Sequence, residues 1–228
     1  MSRIENDLVQ HLKRFITEER NILFEEKIKE RTRHITVVLE NIFQSRNISA
    51  SIRSSDCFGI QDLHVIENDN LFEDDSEVSM GASKWIDIKH YNNKSHNTVN
   101  AINQLKEKGY KIITTSPYET DMSLFDLSVQ NKIAIIFGSE VNGCSHKALE
   151  LADYKMKIPM YGFTESFNIS VSVSLCLQHL CYKIRNSNLN WKLNNQEKNE
   201  VMLKWLRKTI KASADIEKQF LERNSAIT

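Results

Sequence analysis

Six short apolar runs, rich in β-branched residues, restrict the fold of this chain more than any other feature. Stretches with helical periodicity separate them. The runs are ITVVL (35–39), LHVI (63–66), WIDI (85–88), KIITT (111–115), IAIIF (133–137) and YKMKI (154–158). Runs this short and continuously apolar are typical of a parallel sheet that helices cover on both faces. The sequence therefore predicts an α/β domain, with helices at 47–57, 97–108, 145–151 and 168–185.

Helical periodicity continues on both sides of this domain. An amphipathic helical segment is predicted over 2–33, and apolar residues recur at helical spacing from Met202 to Phe220, which predicts a terminal helix. We therefore divide the chain into an amino-terminal helical extension (1–33), an α/β domain (34–186) and a carboxyl-terminal helical extension (187–228). The acidic stretch 67–77 is predicted to be a surface loop.

Composition limits the partners and the compartment. With 30 basic and 30 acidic residues the net charge is zero, so a nucleic-acid site must be a local basic patch. Lys27, Arg31, Arg33 and Arg46 are the candidates. No apolar run reaches the length of a membrane span, and the first residues carry acids where a signal peptide needs apolar ones. We expect a cytoplasmic protein without a membrane partner.

The four cysteines form no CxxC pair and have no zinc-ligand spacing. This pattern favours reduced thiols over a disulfide framework or a metal site. We therefore expect no metal.

Polar residues follow three of the predicted strands, at the strand ends where ligands of parallel sheets collect. Asn47 and Arg53 follow the first and are six residues apart on one predicted helix, so that both can face one cleft. FGSEVNG follows the fifth run, and IPMYGFTESFN ends the last. Taken singly, these residues also fit helix caps, a tight turn and a surface ion pair. Neither a phosphate loop nor a GxGxxG fingerprint is present.

Taken together and in order, the motifs N-x5-R, FGxExxG and IPMxGxxxSxN resemble the SpoU class of S-adenosylmethionine-dependent RNA 2'-O-ribose methyltransferases. The resemblance covers about residues 33 to 185. Within the class, the chain looks most like the TrmH branch, which methylates the D-loop guanosine at tRNA position 18. The resemblance implies the SPOUT fold, a parallel α/β sheet with a carboxyl-terminal trefoil knot. It also implies a homodimer and a tRNA substrate.

The resemblance also assigns roles to residues. The catalytic positions that it implies are Arg53, Asn47, Glu140, Ser166 and Asn168. The positions implied to hold S-adenosyl-L-methionine are Thr114, Thr115, Ser116, Phe137, Gly138, Gly143, Ile158, Met160, Phe167 and Asn168. An arginine is protonated at any ordinary pH and is a poor general base. We therefore expect Arg53 to bind an RNA phosphate and stabilise the developing alkoxide, acting as a base only where a neighbour relieves its proton.

Three other functions fit part of the sequence. The chain could methylate a different tRNA or rRNA nucleotide, or it could be a non-catalytic RNA-binding relative. A nicotinamide-dependent oxidoreductase also uses a parallel sheet, but the glycine fingerprint of that class is missing.

Overall fold

The computed structural model describes residues 3–93, 95–118 and 120–225. By its internal contacts the chain forms two compact units. The larger unit is Thr32–Trp191, and the smaller one combines the segment up to Arg31 with the segment from Lys192.

A parallel sheet forms the centre of the larger unit. In its described part the strands are β1 (Ile35–Glu40), β2 (Asp62–Ile66), β3 (Asp87–Tyr91), β4 (Tyr110–Thr115), β5 (Met122–Ser123), β6 (Lys132–Phe137) and β7 (Tyr154–Lys157). Their order is β3-β2-β1-β6-β4-β7-β5, and every neighbouring pair is parallel. The predicted α/β class is therefore confirmed.

Two strands differ from the sequence prediction. The third apolar run precedes most of its strand, because Trp85 closes a 3-10 turn and β3 begins only at Asp87. Ile86 is buried without joining the ladder. The short strand β5 was not predicted, because two residues are too few to show an apolar pattern.

Helices cover both faces of the sheet, as predicted. They are α3 (Ser45–Cys57), α4 (Ser76–Ser79), α5 (Asn97–Glu107), α6 (His146–Leu151) and α7 (Ile169–Arg185). Along β1, Val37 and Leu39 belong to the core cluster that includes residues of α3 and α7. Val38 belongs to the cluster that includes α5 and α6. Because successive side chains point to opposite faces of the sheet, β1 is buried throughout. Helices α3 and α7 pack on one of its faces, and α5 and α6 pack on the other.

Two local predictions in this unit need correction. Helix α3 starts at Ser45 after Gln44, so Asn47 lies inside the first turn and does not cap the helix. The acidic stretch contains the one-turn helix α4, because the Asp75 carboxylate accepts hydrogen bonds from the main-chain N–H groups of Glu77 and Val78.

The smaller unit consists of helices from both ends of the chain. They are α1 (Arg3–Lys13), α2 (Glu18–Ile28), α8 (Asn195–Thr209) and α9 (Ser213–Ser225). The rings of Phe24 and Trp205 pack at 5.3 Å between centroids. The amino-terminal segment is two helices, since Thr17 caps α2. The single terminal helix predicted for the other end also breaks in two, where Ile210 adopts extended backbone and buries its side chain.

None of the helices in the described ranges is long and apolar enough to cross a membrane.

Candidate functional site at the carboxyl ends of the strands

Three of the motif residues form one hydrogen-bonded row. Asn47 donates from Nδ2 to Glu140 Oε1 over 2.6 Å, and Asn168 donates from Nδ2 to Asn47 Oδ1 over 3.1 Å. Asn47 lies in the first turn of α3, Glu140 in the loop after β6 and Asn168 just before α7. The structure therefore joins residues from three separate motifs, which we call the amide row.

Each end of the amide row is fixed by further contacts. Asn168 caps α7, because its Oδ1 accepts from the Ser170 N–H at 2.9 Å and the Ser170 hydroxyl at 2.7 Å. The second oxygen of Glu140 accepts from the main-chain N–H of Phe43 at 3.4 Å. Asn47 itself is only 8% exposed. The row is thus rigidly held in the fold, with its Asn168 end open to solvent.

Arg53 and Ser166 lie outside this row. Six residues of helix advance by about one and two-thirds turns, so Arg53 is exposed while Asn47 faces inward. The expectation that these two side chains face one cleft is therefore not met within a single chain. In the described ranges, neither Arg53 nor Ser166 makes a hydrogen bond or an ion pair, and both are exposed. Both side chains are available to a ligand.

The residues implied to hold the cofactor cluster at three adjacent strand ends. Strands β6, β4 and β7 are neighbours, which brings 137–138, 114–116 and 158–160 to one edge of the sheet. Ser116 donates its N–H to Met156 O at 3.0 Å, which ties two of these ends together. The side chains of Thr114 and Phe137 are fully buried. These two residues can therefore offer a ligand only their main chain.

A tight turn closes the β6 end. Ser139 and Gly143 exchange two main-chain hydrogen bonds of 3.0 and 2.9 Å, and Gly143 has a φ of 64°. A Cβ atom built on Gly138 would lie 2.0 Å from the Gly143 carbonyl carbon. The turn therefore requires glycine at position 138. The uncharged strand ends, with half-buried Ile158 and Met160, fit an adenosyl group that is bound by main chain and apolar contacts.

Glu40 is a buried carboxylate at this edge that the sequence analysis missed. It is 2% exposed and accepts from Thr98 Oγ1 at 2.6 Å, Ser145 N at 2.9 Å and Ser145 Oγ at 2.7 Å. Ser145 in turn caps α6. Glu40 thus fixes the starts of α5 and α6 beside the site. The sequence feature that could have identified Glu40 is its position directly after the apolar run ITVVL, at the end of a predicted strand.

Cys144 lies beside this cluster but is not a nucleophile. Burial, reinforced by the charge of Glu40, raises the pKa of the Cys144 thiol to about 12. Its Sγ lies 3.5 Å from the carbonyl oxygens of Thr115 and Ile136. Across the described part of the chain, no group of three or more His, Cys, Asp or Glu side chains is arranged to hold a metal ion.

The four basic residues predicted to contact RNA have different surroundings. Lys27 is exposed on α2, and Arg46 is largely exposed with its Nε 3.2 Å from Asp75 Oδ2. Arg31 is 5% exposed with its guanidinium 5.2 Å above the Trp205 ring.

Arg33 forms ion pairs of 3.1 Å with both Asp62 and Asp87, at the amino ends of β2 and β3. Arg31 and Arg33 therefore serve the fold, which argues against the RNA contacts predicted for them. Lys27 and Arg46 are exposed, and RNA contact by these two residues stays a prediction.

Comparison with known proteins identifies the family. The model of the SpoU rRNA Methylase family matches residues 34–178. The chain belongs to this family. The resemblance drawn from the three motifs is therefore confirmed, and the SpoU match spans the strand ends and the amide row described above.

Two SpoU relatives are similar along most of the chain. The tRNA (guanosine(18)-2'-O)-methyltransferase of Borreliella burgdorferi is 42% identical over 200 residues, which is 88% of this chain and 90% of the relative. The enzyme of the same name from Thermus thermophilus is 32% identical over 71% of this chain and 81% of its own length.

Solved SpoU structures share the fold. The A. aeolicus TrmH/SpoU tRNA modifying enzyme superposes with a TM-score of 0.76 at 23% identity, over 85% of this chain and 98% of that one. AviRb from Streptomyces viridochromogenes, solved in complex with the cofactor AdoMet, gives a TM-score of 0.59 at 20% identity, over 72% of this chain and 62% of that one.

Proposed function

We propose that this SpoU protein methylates the 2'-hydroxyl of guanosine 18 in tRNA, with S-adenosylmethionine as the methyl donor. The observation that carries the proposal is the relative of this name that is 42% identical over 88% of the chain. The amide row supports it, because three of the five polar positions of the family lie in hydrogen-bond contact.

The reaction needs alignment and charge stabilisation more than covalent help from the protein. When bound, S-adenosylmethionine would supply a methyl group from a sulfonium centre to a ribose oxygen that approaches in line. The methyl–sulfur bond would break, S-adenosylhomocysteine would leave, and the hydroxyl proton would pass to solvent. Asn47 is buried and holds Asn168, whose exposed end would face the ribose, and Glu140 holds Asn47 in place. The exposed guanidinium of Arg53 stabilises the negative charge that develops on the ribose oxygen. Ser166 and Asn168 order the edge between cofactor and substrate.

S-adenosylmethionine would be held at the three adjacent strand ends. Its holders are Thr114, Thr115 and Ser116 after β4, Phe137, Gly138 and Gly143 after β6, and Ile158, Met160, Phe167 and Asn168 after β7. These segments belong to the part of the chain that we propose is knotted. The hydrogen bond from Ser116 N to Met156 O keeps the β4 and β7 ends side by side and supports this arrangement.

The proposed assembly is a homodimer built on α7. Val171, Leu175 and Tyr182 recur on one face of this helix and are 43%, 39% and 65% exposed, while its opposite face is in the core. An apolar stripe of this kind is typical of a subunit interface. Light scattering should give twice 26.5 kDa, and Leu175→Lys should shift the mass toward the monomer.

Phosphate contacts come from local cations, because the net charge is zero. Lys27 and Arg46 are the proposed contacts, and tRNA affinity should fall steeply with salt as bound counterions are displaced. Since tRNA is the proposed substrate, the proposed compartment is the cytoplasm.

The deciding experiment maps the methyl group on unmodified tRNA after incubation with the protein and labelled cofactor. We expect one methylated ribose, at guanosine 18. The matched control is the same tRNA with 2'-deoxyguanosine at that position, which keeps the base but has no oxygen to methylate. Label on another nucleotide would favour a different SpoU specificity, and tRNA binding without transfer would favour a non-catalytic relative.

A further inference from the structure

We propose that Phe43 is the platform on which the base of the target nucleotide stacks. This inference rests on the proposed function and adds a specificity-determining residue to it. Phe43 lies between β1 and α3, in the FQSR segment directly before Asn47.

The ring of Phe43 projects from an anchored backbone. It is 73% exposed, although the preceding Ile42 is only 3% exposed and is part of the core. Asn41 adopts left-handed backbone, and its Oδ1 accepts from the main-chain N–H groups of Asp69 and Asn70 at 2.9 and 3.1 Å. On the other side, α3 begins two residues later at Ser45. The backbone on both sides of Phe43 is therefore fixed, and its ring stays exposed to solvent.

The position of Phe43 relative to the amide row points to the substrate. Its main-chain N–H contacts Glu140 Oε2 at 3.4 Å, while the other oxygen of the same carboxylate accepts from Asn47 at 2.6 Å. The Phe43 main chain and the Asn47 side chain therefore share one carboxylate, and on this ground we place the base of a nucleotide bound at the amide row on the Phe43 ring. Val141, which follows Glu140, is 89% exposed and adds apolar surface from the neighbouring loop.

The chemistry of the ring favours a base over a phosphate as its occupant. Phe43 carries no charge that could hold a phosphate, and the Asp69 carboxylate is hydrogen-bonded to Asn41 in the adjoining turn. An uncharged ring stacks on the π face of any base. Sequence-specific RNA recognition commonly uses unstacked bases in loops on aromatic side chains. We therefore assign the ring to the target base and not to its backbone.

The test changes the Phe43 ring and the base at position 18 separately and in combination. Phe43→Leu keeps an apolar side chain but removes the π face, and Phe43→Trp keeps a stacking surface. The matched control is Tyr154→Leu, which removes an exposed aromatic ring at the first residue of β7, the end of the strand away from the site. Each variant is assayed for binding of tRNA with guanosine at position 18, and of tRNA with an abasic ribose there that keeps its 2'-hydroxyl.

We expect Phe43→Leu to weaken binding of the guanosine tRNA by about tenfold, the size of one lost base stack. Phe43→Trp and Tyr154→Leu should bind like wild type. With the abasic tRNA, wild type and Phe43→Leu should bind equally. At saturating tRNA the methyl-transfer rate of Phe43→Leu should fall less than its affinity does.

Two binding results and one mass measurement would each overturn the stacking role. One is wild-type affinity of Phe43→Leu for the guanosine tRNA; the other is an equal loss on both tRNAs. A lower mass of Phe43→Leu in light scattering would also overturn it, since the ring would then lie against a second copy of the chain. Failure of the proposed function looks different, because the wild-type protein itself would then leave guanosine 18 unmethylated.

Discussion

Asn47 Nδ2 lies 2.6 Å from Glu140 Oε1, and this contact fixes the orientation of two amides. An ionised carboxylate only accepts hydrogen bonds, so Asn47 must turn its NH₂ group toward Glu140. Its oxygen then faces the Asn168 NH₂ group at 3.1 Å, and the oxygen of Asn168 is left to cap α7. Glu140 therefore sets the polarity of the whole row.

Reversing that polarity should be costly. In Asn47→Asp two carboxylates face each other at hydrogen-bond distance, and we expect a loss of about 2 kcal/mol in the free energy of unfolding at pH 8. Urea denaturation at pH 8 measures it. The double variant Asn47→Asp with Glu140→Gln provides a donor again and should recover most of the loss; equal stability of Asn47→Asp and wild type at pH 8 would contradict the assignment.

Arg53 should affect the rate and not the stability. Because its side chain is exposed and unpaired in the described structure, Arg53→Ala should change the unfolding free energy by at most about 0.5 kcal/mol. The methyl-transfer rate should fall by about a hundredfold, roughly 3 kcal/mol of transition-state stabilisation. Arg53→Lys should rescue little, since an ammonium lacks the planar fork. Single-turnover kinetics with saturating tRNA and cofactor decide this, and the exposed Lys84→Ala is the control. A near-normal rate for Arg53→Ala would remove it from the catalytic set.

Two glycines offer a matched comparison for cofactor binding. A Cβ atom on Gly138 would overlap the main chain of Gly143, whereas one on Gly162 meets nothing within 4 Å. We expect Gly138→Ala to open the turn after β6 and to weaken S-adenosylmethionine binding at least tenfold, about 1.4 kcal/mol. Gly162→Ala should bind normally. Calorimetry with the cofactor measures both, and tight binding by Gly138→Ala would show that this turn does not shape the pocket.

His64 should make the fold sensitive to acid. Burial, with help from Lys108 and Lys89, lowers the pKa of His64 to about 3. The unfolded chain takes up a proton near pH 6.5 and the folded chain does not, so stability falls as the pH drops below 6.5. Between pH 8 and pH 5 this one group should account for a loss of about 2 kcal/mol.

His64→Gln retains a partner for the Tyr91 hydroxyl, which lies 3.0 Å from His64 Nδ1. The unfolding free energy of this variant should fall less steeply between pH 8 and pH 5 than that of wild type. The exposed His146→Gln should follow the wild-type profile. Parallel profiles for wild type and His64→Gln would mean that His64 titrates normally.

The sequence predicts the core of this fold because burial leaves a local pattern. All six residues of β1 are buried, and the run ITVVL shows that directly. The start of α3 is harder to predict, because Gln44 precedes it without a side-chain capping bond and Asn47 is the better cap by type. The break between α8 and α9 at Ile210 is equally hard to predict, since isoleucine occurs in both helical and extended backbone.

The site is predictable in its residue types but not in its contacts. The motifs identify Asn47, Glu140 and Asn168, yet their contact depends on β6 lying next to β1, a pairing that no local pattern reveals. The surroundings of Arg31 could not be predicted either, because they also depend on residues distant in the sequence. Its basic neighbours predict an exposed side chain, whereas its guanidinium lies over the ring of Trp205.

The pairing of β1 with β6 also has a kinetic consequence. Ile35 pairs with Ile133, so the central ladder of the sheet closes only after most of the larger unit has been synthesised. Until then one edge of β1 has no partner, and the entropy of closing so long a loop slows folding. We expect a slow refolding phase that is limited by this closure. During it the unpaired edge of a hydrophobic strand is open to other chains, so that the nascent protein is most prone to aggregate just before its active site can form.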